Sequence, residues 1–391
     1  MKHNWEYKRL GDLCNISSSR RVLQSDWKES GVPFYRAREI VKLSENGFVN
    51  NELFISENLY DELAKSGIPQ AGDIMLSAVG TLGATYIVKP TDKFYYKDAS
   101  VICLSKISDL QPKFLCYLFD SNIILHQIDR QAKGATVGTI TISNASKFKV
   151  PVPDYKVQER IVAELDKINE TIEDCRELLR NLDALAQSLF YDFFGDPITN
   201  PKGWPIDKLG NLLIIERGGS PRPIKEYITQ DEDGINWIKI GDANSSMYIS
   251  STKEKIKPSG KSKSRFVKPG DFILSNSMSF GRPYIMNTYG CIHDGWLLLR
   301  DNNNFFNKIY LYYCLNSKSI YSEFERLVRT GTVSNLNSDI VRGVKIPVPP
   351  LAHQEKFAER IEQIEAQKKA VEQTIAELQT LLDSRMDYWF N

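Results

Sequence analysis

The stretch GDIMLSAVGTLGATYIV at residues 72–88 returns as GDFILSNSMSFGRPYIM at residues 270–286. Seven of the 17 positions are identical, among them the opening Gly-Asp, a Leu-Ser pair and one later glycine. The differences concentrate in the centre, where AVGTL stands against NSMSF. The chain therefore repeats the flanking residues of this segment, which we call the frame, and varies the residues between them. We expect the repeated glycines to be turn residues, because glycine adopts positive φ at little cost.

The duplication runs through the whole chain. WEYKRLGDL at 5–13 corresponds to WPIDKLGNL at 204–212, and KVPVPDYKVQERI at 149–161 corresponds to KIPVPPLAHQEKF at 345–357. The offsets stay between 195 and 203 residues, which indicates one tandem duplication with small loop insertions. Two copies are too few for a solenoid or a propeller.

Each copy ends in a run with a seven-residue apolar repeat. The apolar positions are spaced alternately four and three residues apart, with one polar interruption at Lys368. This spacing predicts a coiled-coil seam, whereas separate surface helices packed on their own domains would not need to keep it over four turns. The predicted seam residues are Ile161, Leu165, Ile168, Ile172, Leu179, Leu182, Ile361, Ile364, Val371, Ile375, Leu378 and Leu382.

Ahead of each helical run lies a globular part with short β-branched and aromatic stretches bounded by Gly, Asn and Ser. These patterns predict α+β domains rich in antiparallel strand, each with one further helix, at 113–128 and at 308–327. The expected boundaries are 1–153 for the first domain, 154–194 for the first long helix, 195–349 for the second domain and 350–391 for the second long helix.

Composition favours a soluble protein of the cytoplasm. The chain has 391 residues and a net charge of +1, and no apolar run is long enough to cross a bilayer. Its six cysteines form no CxxC pair, which is typical of reduced packing residues. The helical runs are acidic, while the segment 253–268 carries seven Lys/Arg and one Glu. We therefore expect contact with a polyanion through the globular parts.

Motifs for catalysis are not recognisable. The sequence has no GxxxxGK[ST] loop, GxSxG elbow, HExxH pair or NPPY-type methyltransferase motif. His293 aligns with Lys97 of the first copy, which is weak support for a general base. We expect no metal site and no reaction carried out by this chain itself.

Two variable domains, each followed by a matching helix entered through PVP and QE, resemble the specificity subunit of type I restriction-modification enzymes. The resemblance covers essentially the full chain and includes LFYDFFGDP at 189–197. It implies two tandem target recognition domains joined by two long antiparallel coiled-coil helices, related by a pseudo-twofold repeat. Lys368 departs from this symmetry, because the first copy has Ile172 at that position.

The resemblance also implies a function and partners. The chain would bind double-stranded DNA at a bipartite target and dock two DNA adenine methyltransferase subunits together with restriction/translocase subunits. S-adenosylmethionine, ATP and Mg would serve those partner subunits, and no membrane would be involved. Two alternatives stay open at this point: a specificity polypeptide of a fused methylase-nuclease system, and an enzyme of unrecognised motif.

Residues able to read base edges concentrate where the two copies differ, since direct readout uses Arg, Lys, Asn, Ser and Thr on a rigid frame. Loops at 134–143 and 331–338 are further candidates. The candidates in the first copy are Arg20, Arg21, Arg36, Arg38, Ser77 and Thr81, and those in the second are Arg217, Arg222, Lys239, Asn276, Ser279 and Arg282. The candidates for phosphate contact are Lys255, Lys257, Lys261 and Lys263.

Overall fold

The computed structural model describes residues 4–132, 138–244, 246–276, 280–330 and 335–390. The chain forms two compact units, one of Met1–Arg176 with Gln373–Asn391 and one of Glu177–Glu372. Two 40-residue helices, Tyr155–Phe194 and Leu351–Phe390, each contribute to both units. The sequence-based boundaries treat each long helix as a segment of its own, and they stay a prediction.

In the described part of unit 1, a four-stranded antiparallel sheet lies beside a three-stranded sheet. The order in the first is Asn15–Ser17, Val101–Ser105, Ile74–Ser77 and Thr85–Ile87, and in the second it is Phe54–Ile55, Val32–Tyr35 and Tyr95–Tyr96. The pair Val32–Tyr35 and Tyr95–Tyr96 is parallel. The first strand, Glu6–Arg9, pairs with Lys149–Val152 just before the long helix, which brings the two ends of the domain together.

Unit 2 repeats this plan with two five-stranded sheets in its described residues. The orders are Ile214–Arg217, Trp296–Arg300, Phe272–Ser275, Pro283–Met286 and Tyr248–Ile249, and Ile228–Thr229, Glu254–Ile256, Ile235–Ile238, Gly290–Ile292 and Arg265–Val267. Ile206–Lys208 pairs with Lys345–Pro347 and repeats the closure seen in unit 1. The predicted α+β class with mainly antiparallel strands is confirmed.

The short helices surround these sheets. They are Leu10–Leu13, Ala37–Asn46, Glu57–Ala64, Pro112–Asp120, Asn122–Ala132 and Ile142–Ala145 in unit 1, and Leu209–Leu212, Lys308–Leu315, Lys318–Thr330 and Ser338–Gly343 in unit 2. Short 3-10 helices cover Gln24–Asp26, Ile224–Glu226, Ile240–Asp242 and Pro258–Lys263.

The single helix predicted in each copy at 113–128 and 308–327 is wrong, because both are divided in two. The break falls at Ser121 in unit 1 and at Asn316–Ser317 in unit 2. The hydroxyl of Ser121 donates to the carbonyl of Leu118 at 2.6 Å, and that of Ser317 donates to Cys314 at 2.8 Å. A serine that bonds the last turn ends one helix and can start the next, a local competition that apolar periodicity does not reveal.

Within each unit the two long helices run antiparallel. In unit 1, Glu164 accepts hydrogen bonds from Arg385 and, at 3.2 Å, from the indole of Trp389. In unit 2, Lys368 lies 2.8 Å from Asp183, while His353, in the first turn of the second helix, lies 3.2 Å from the carbonyl of Phe193.

The predicted seam residues face away from solvent to different degrees. Ile161, Leu165, Ile168, Ile172, Leu182, Ile361 and Ile364 are buried, and Leu179, Val371, Ile375, Leu378 and Leu382 are half-buried. Lys368 replaces an apolar contact with ion pairs to Asp183 and Glu365. Burial alone would lower the pKa of Lys368, but the hydrogen bonds to these two carboxylates raise it, so the ammonium stays charged.

Two buried glutamines anchor the long helices to the domains that precede them. Gln158 is fully buried; its amide donates to the carbonyls of Asp109 at 2.7 Å and Pro153 at 2.9 Å and accepts from the N–H of Gln111 at 2.8 Å. Gln354 makes the same three kinds of bond in unit 2. The glutamine of the Gln-Glu pair that follows each proline segment is therefore a structural anchor.

Candidate nucleic-acid interface

The repeated frame closes a loop of five residues in unit 1. The N–H groups of Gly83 and Ala84 donate to the backbone carbonyl and the hydroxyl oxygen of Ser77, at 3.0 and 2.9 Å. The Ser77 hydroxyl in turn donates to the carbonyl of Thr81 at 2.6 Å. These bonds hold residues 78–82 between two strands, and Ser77 itself is fully buried.

The second copy closes its loop through the same atoms. Gly281 and Arg282 donate to the carbonyl and the hydroxyl of Ser275 at 2.7 and 3.0 Å. Gly83 and Gly281 have φ of 89° and 79°, a conformation that other residues rarely adopt. The repeat thus encodes a fixed loop base, while the loop itself differs between the copies.

In each unit, a second loop is hydrogen-bonded to this one. The N–H of Ile140 donates to the carbonyl of Ala78 at 2.9 Å, and the N–H of Leu336 donates to the backbone carbonyl of Asn276 at 3.1 Å. The predicted second loops therefore lie beside the first ones, although residues 133–137 and 331–334 are outside the described residues.

The third loop of each unit is a turn, which ends at Ser100 in unit 1 and at Gly295 in unit 2. The carbonyl of Ser100 accepts from the N–H of Ala78 at 2.9 Å, and that of Gly295 accepts from Asn276 at 3.0 Å. Each unit thus presents three loops on a hydrogen-bonded base, an arrangement suited to placing variable side chains against an extended ligand.

Four candidates of the first copy are exposed: Arg20, Arg21, Arg38 and Thr81. Arg20 is positioned by its own N–H, which donates to the hydroxyl of Tyr95 at 2.9 Å, and its guanidinium reaches the hydroxyl of Ser66 at 3.2 Å.

Arg36 and Arg38 have a different environment, since both bind Glu39, which is 1% exposed. Arg36 contacts the two carboxylate oxygens at 3.0 and 2.9 Å, and Arg38 contacts one at 2.6 Å and also pairs with Glu52. Burial would raise the pKa of Glu39, but the hydrogen bonds from the two arginines lower it. Both arginines thus neutralise a buried carboxylate. Their role as base contacts stays a prediction. The same holds for Ser77, whose hydroxyl is bonded within the loop.

In the second copy, several candidates converge on Asp294. Asn276, which is 5% exposed, donates to its backbone carbonyl at 2.9 Å, and Arg217 approaches the same oxygen at 3.4 Å. The carboxylate accepts from the Ser220 hydroxyl at 2.6 Å and lies 3.9 Å from the Arg222 guanidinium. The hydrogen bond from Ser220 is the main cause of the lowered pKa of Asp294.

The remaining candidates are dispersed. Lys239 pairs with Glu254 at 2.5 Å. Arg282 is exposed at the end of its loop and contacts the carbonyl of Asn244 at 3.3 Å. Ser279 lies outside the described residues.

The four lysine candidates for phosphate contact lie on or next to the five-stranded sheet of unit 2 that contains Glu254–Ile256. Lys257 and Lys263 are exposed, and Lys255 is half-buried on an inner strand. Lys261 lies 4.0 Å from the centre of the Phe266 ring and Lys263 lies 4.9 Å from that of Tyr227. Lysines interleaved with aromatic rings are typical of surfaces that follow a nucleic-acid backbone.

Sequence reasoning missed Asp294 as an organising residue and Trp237 as a neighbour of the site. The alignment of Asp294 with Asp98 in the repeat was the available signal. Among the residues that the structure describes, no group of three or more His, Cys, Asp or Glu could hold a metal ion. No helix in the described ranges is long and apolar enough to cross a membrane.

A family model described as the type I restriction modification DNA specificity domain matches residues 2–182 and again residues 201–380. The MjaVIII specificity subunit of a type I restriction enzyme from Methanocaldococcus jannaschii is 22% identical over 389 residues, 93% of this chain and 86% of that protein. S.HindORF215P of Haemophilus influenzae, provisionally named a specificity subunit, is 29% identical over 161 residues. That match spans 40% of this chain and 38% of the relative.

The fold is also found in a solved structure. A chain from work on complex assembly and conformational transition of the type I R-M system superposes with a TM-score of 0.64 at 22% identity. The match covers 99% of this chain and 97% of the other. At this identity, the similarity establishes the fold alone.

Proposed function

Because the chain belongs to the type I restriction-modification DNA specificity family, whose model matches it twice, we propose that it is a sequence-specific DNA-binding subunit that recognises a bipartite target. Each unit reads one half-site through its three loops. The observation that carries this proposal is the common base at Ser77 and Ser275, which holds loops of different sequence in the two copies.

The long helices are proposed to form an antiparallel coiled coil that docks two methyltransferase subunits and restriction/translocase subunits. The antiparallel contacts at Glu164 in unit 1 and at Asp183 in unit 2 support this arrangement. Catalysis, with S-adenosylmethionine, ATP and Mg, is proposed to belong to those partners.

The assembled complex offers a direct test. Binding-site selection from random duplexes should return a motif of two specified segments separated by an unread gap of fixed length. A single continuous motif, or no selection at all, would contradict the proposed function.

Arg282→Ala should relax the sequence preference at one position of the second half-site by about 1–3 kcal/mol and leave the first half-site unchanged. Arg282 is exposed beside the variable loop and binds no carboxylate among the described residues. Arg20→Ala is the matched variant and should affect only the first half-site. Selection with each variant measures both effects, and an unchanged profile for Arg282→Ala would refute the assignment.

Lys257→Ala should weaken binding to every duplex and reduce the slope of log affinity against log salt by about 1. The side chain is exposed, and its ammonium bonds only the carbonyl of Glu226, at 2.8 Å, in the described structure. A phosphate contact carries no sequence information, so the selected motif should stay the same. Titrations at several salt concentrations measure the slope, and a changed motif would instead make Lys257 a base contact.

A further inference from the structure

A cavity of 730 Å³ opens beside the turn His293–Gly295 of unit 2. Its lining is formed by the segment 220–224 together with Trp237, Lys239 and His293. The segment can approach the turn because residue 218 is a glycine: a Cβ there would lie 2.1 Å from the carbonyl oxygen of His293. The volume falls within the range of about 300–1,000 Å³ that is typical of small-molecule sites.

The walls of this cavity suit a flat aromatic ligand. Pro223 and Ile224 supply accessible apolar surface, and Trp237, only 2% exposed, is part of the core against which Ile224 packs. The His293 ring packs edge-on against Trp237, with ring centres 6.2 Å apart, and its Nδ1 accepts from the N–H of Gly295 at 2.6 Å. The imidazole is thereby held in place, and its Nε2 lies 3.3 Å from the backbone nitrogen of Ile240. Burial lowers the pKa of His293, so the ring is neutral at pH 7.

Positive charge lies at the rim. The side chain of Arg222 is 84% exposed, and its guanidinium is 3.9 Å from the Asp294 carboxylate, a distance that leaves it able to contact a second anion. The ammonium of Lys239, also at the rim, forms an ion pair with Glu254. An apolar interior with a guanidinium at the mouth matches a nucleotide, which combines a flat base with a phosphate.

The cavity also adjoins the proposed readout loops. Asn276, at the base of the variable loop, donates to the carbonyl of Asp294, the residue that follows His293. In unit 1 the corresponding residues are Phe34 and Lys97. Phe34 packs against Trp27, with ring centres 6.2 Å apart, and Lys97 replaces the imidazole, so the side chains at these positions differ between the two units.

We propose that this cavity receives one unpaired nucleotide of the second half-site, with its base against Pro223 and Ile224 and its phosphate near Arg222. The inference rests on the proposed function and adds to it that the second unit reads one position by extruding a base. Extrusion costs a few kcal/mol of pairing and stacking, so DNA in which that base is already unpaired should bind more tightly.

The experiment uses the assembled complex and duplexes of the selected target in which single nucleotides are replaced in turn by an abasic site. Opposite the extruded base, this replacement removes its pairing partner and should tighten binding about tenfold or more. Ile224→Trp, which fills the cavity from a half-buried position, should abolish that gain. Gln24→Trp is the matched control, because Gln24 is exposed and begins the equivalent 3-10 helix of unit 1.

At a position where a partner subunit extrudes the base, the abasic replacement should tighten binding equally for the Ile224→Trp and Gln24→Trp variants. This result distinguishes such a position from one that is read by the cavity. Lys239→Gln, a milder change at the rim, should reduce the gain partly and guards against misfolding of the tryptophan variant. The proposal is overturned if no second-half-site position gives a gain that Ile224→Trp removes. If the complex selects no sequence at all, the proposed function fails instead.

Discussion

Gln354→Leu is expected to lower the free energy of unfolding by about 3 kcal/mol or more. The leucine would leave three backbone groups without their present partner: the N–H of Asn307 and the carbonyls of Phe305 and Pro349. Gln354 is fully buried, and each unsatisfied buried group costs about 1–3 kcal/mol. Urea unfolding of the full chain measures the change.

Gln158→Leu tests the same anchor in unit 1, since Gln158 is equally buried and equally bonded. Gln363→Leu is the control, because Gln363 is exposed on the same helix as Gln354 and should change stability by no more than about 0.5 kcal/mol. A loss below about 1 kcal/mol for both anchor variants would show that water replaces the amide at these sites.

A fragment that ends near Gly195 is expected to form a dimer and, with the methyltransferase subunits, to select an inverted repeat of the first half-site. In the full chain, Leu182, Ala186, Phe190 and Phe194 are buried in the core of unit 2. Without that core they would be exposed, at a cost of about 1.5–3 kcal/mol for each large side chain. A closed twofold dimer is the common way to bury such a surface.

The duplication provides the partner surface. Leu382, Met386 and Phe390 of the second helix pack on the core of unit 1, and the repeat aligns them with Ala186, Phe190 and Phe194. A second copy of the first helix could therefore take their place with residues of similar total volume. The Lys368–Asp183 pair would be replaced by Ile172 against Asp183, a small loss because the Asp183 side chain is 66% exposed.

Sedimentation gives the mass of the fragment, and site selection with the reconstituted complex gives its target. Leu182→Asp should keep the fragment monomeric, whereas Ala184→Asp, at an exposed position, should not. A monomeric wild-type fragment, or selection of the original asymmetric site, would mean that the two helices are not interchangeable.

Several features could be predicted from local patterns. The repeat of GDIMLS and GDFILS indicated a shared frame with a varied centre, and the seven-residue spacing indicated two long helices, which the structure places at Tyr155–Phe194 and Leu351–Phe390. The divided helices at Ser121 and Ser317 could not be predicted in this way. Their apolar faces continue across the break, and only the serine hydroxyl bonds end the helix.

The sequence by itself determined the duplication and the α+β class, because both depend on spacing along the chain, and its repeated PVP and QE segments carried the resemblance to the family. Only the tertiary structure decided which polar candidates are available to a ligand. Arg36 and Arg38 satisfy the buried Glu39, and Asn276 and Arg217 gather around Asp294. Asp294 lies 18 and 77 residues away from those two partners. The reason is physical: whether a charged or polar group is free depends on burial and on partners distant in sequence, and neither can be read from the residue type.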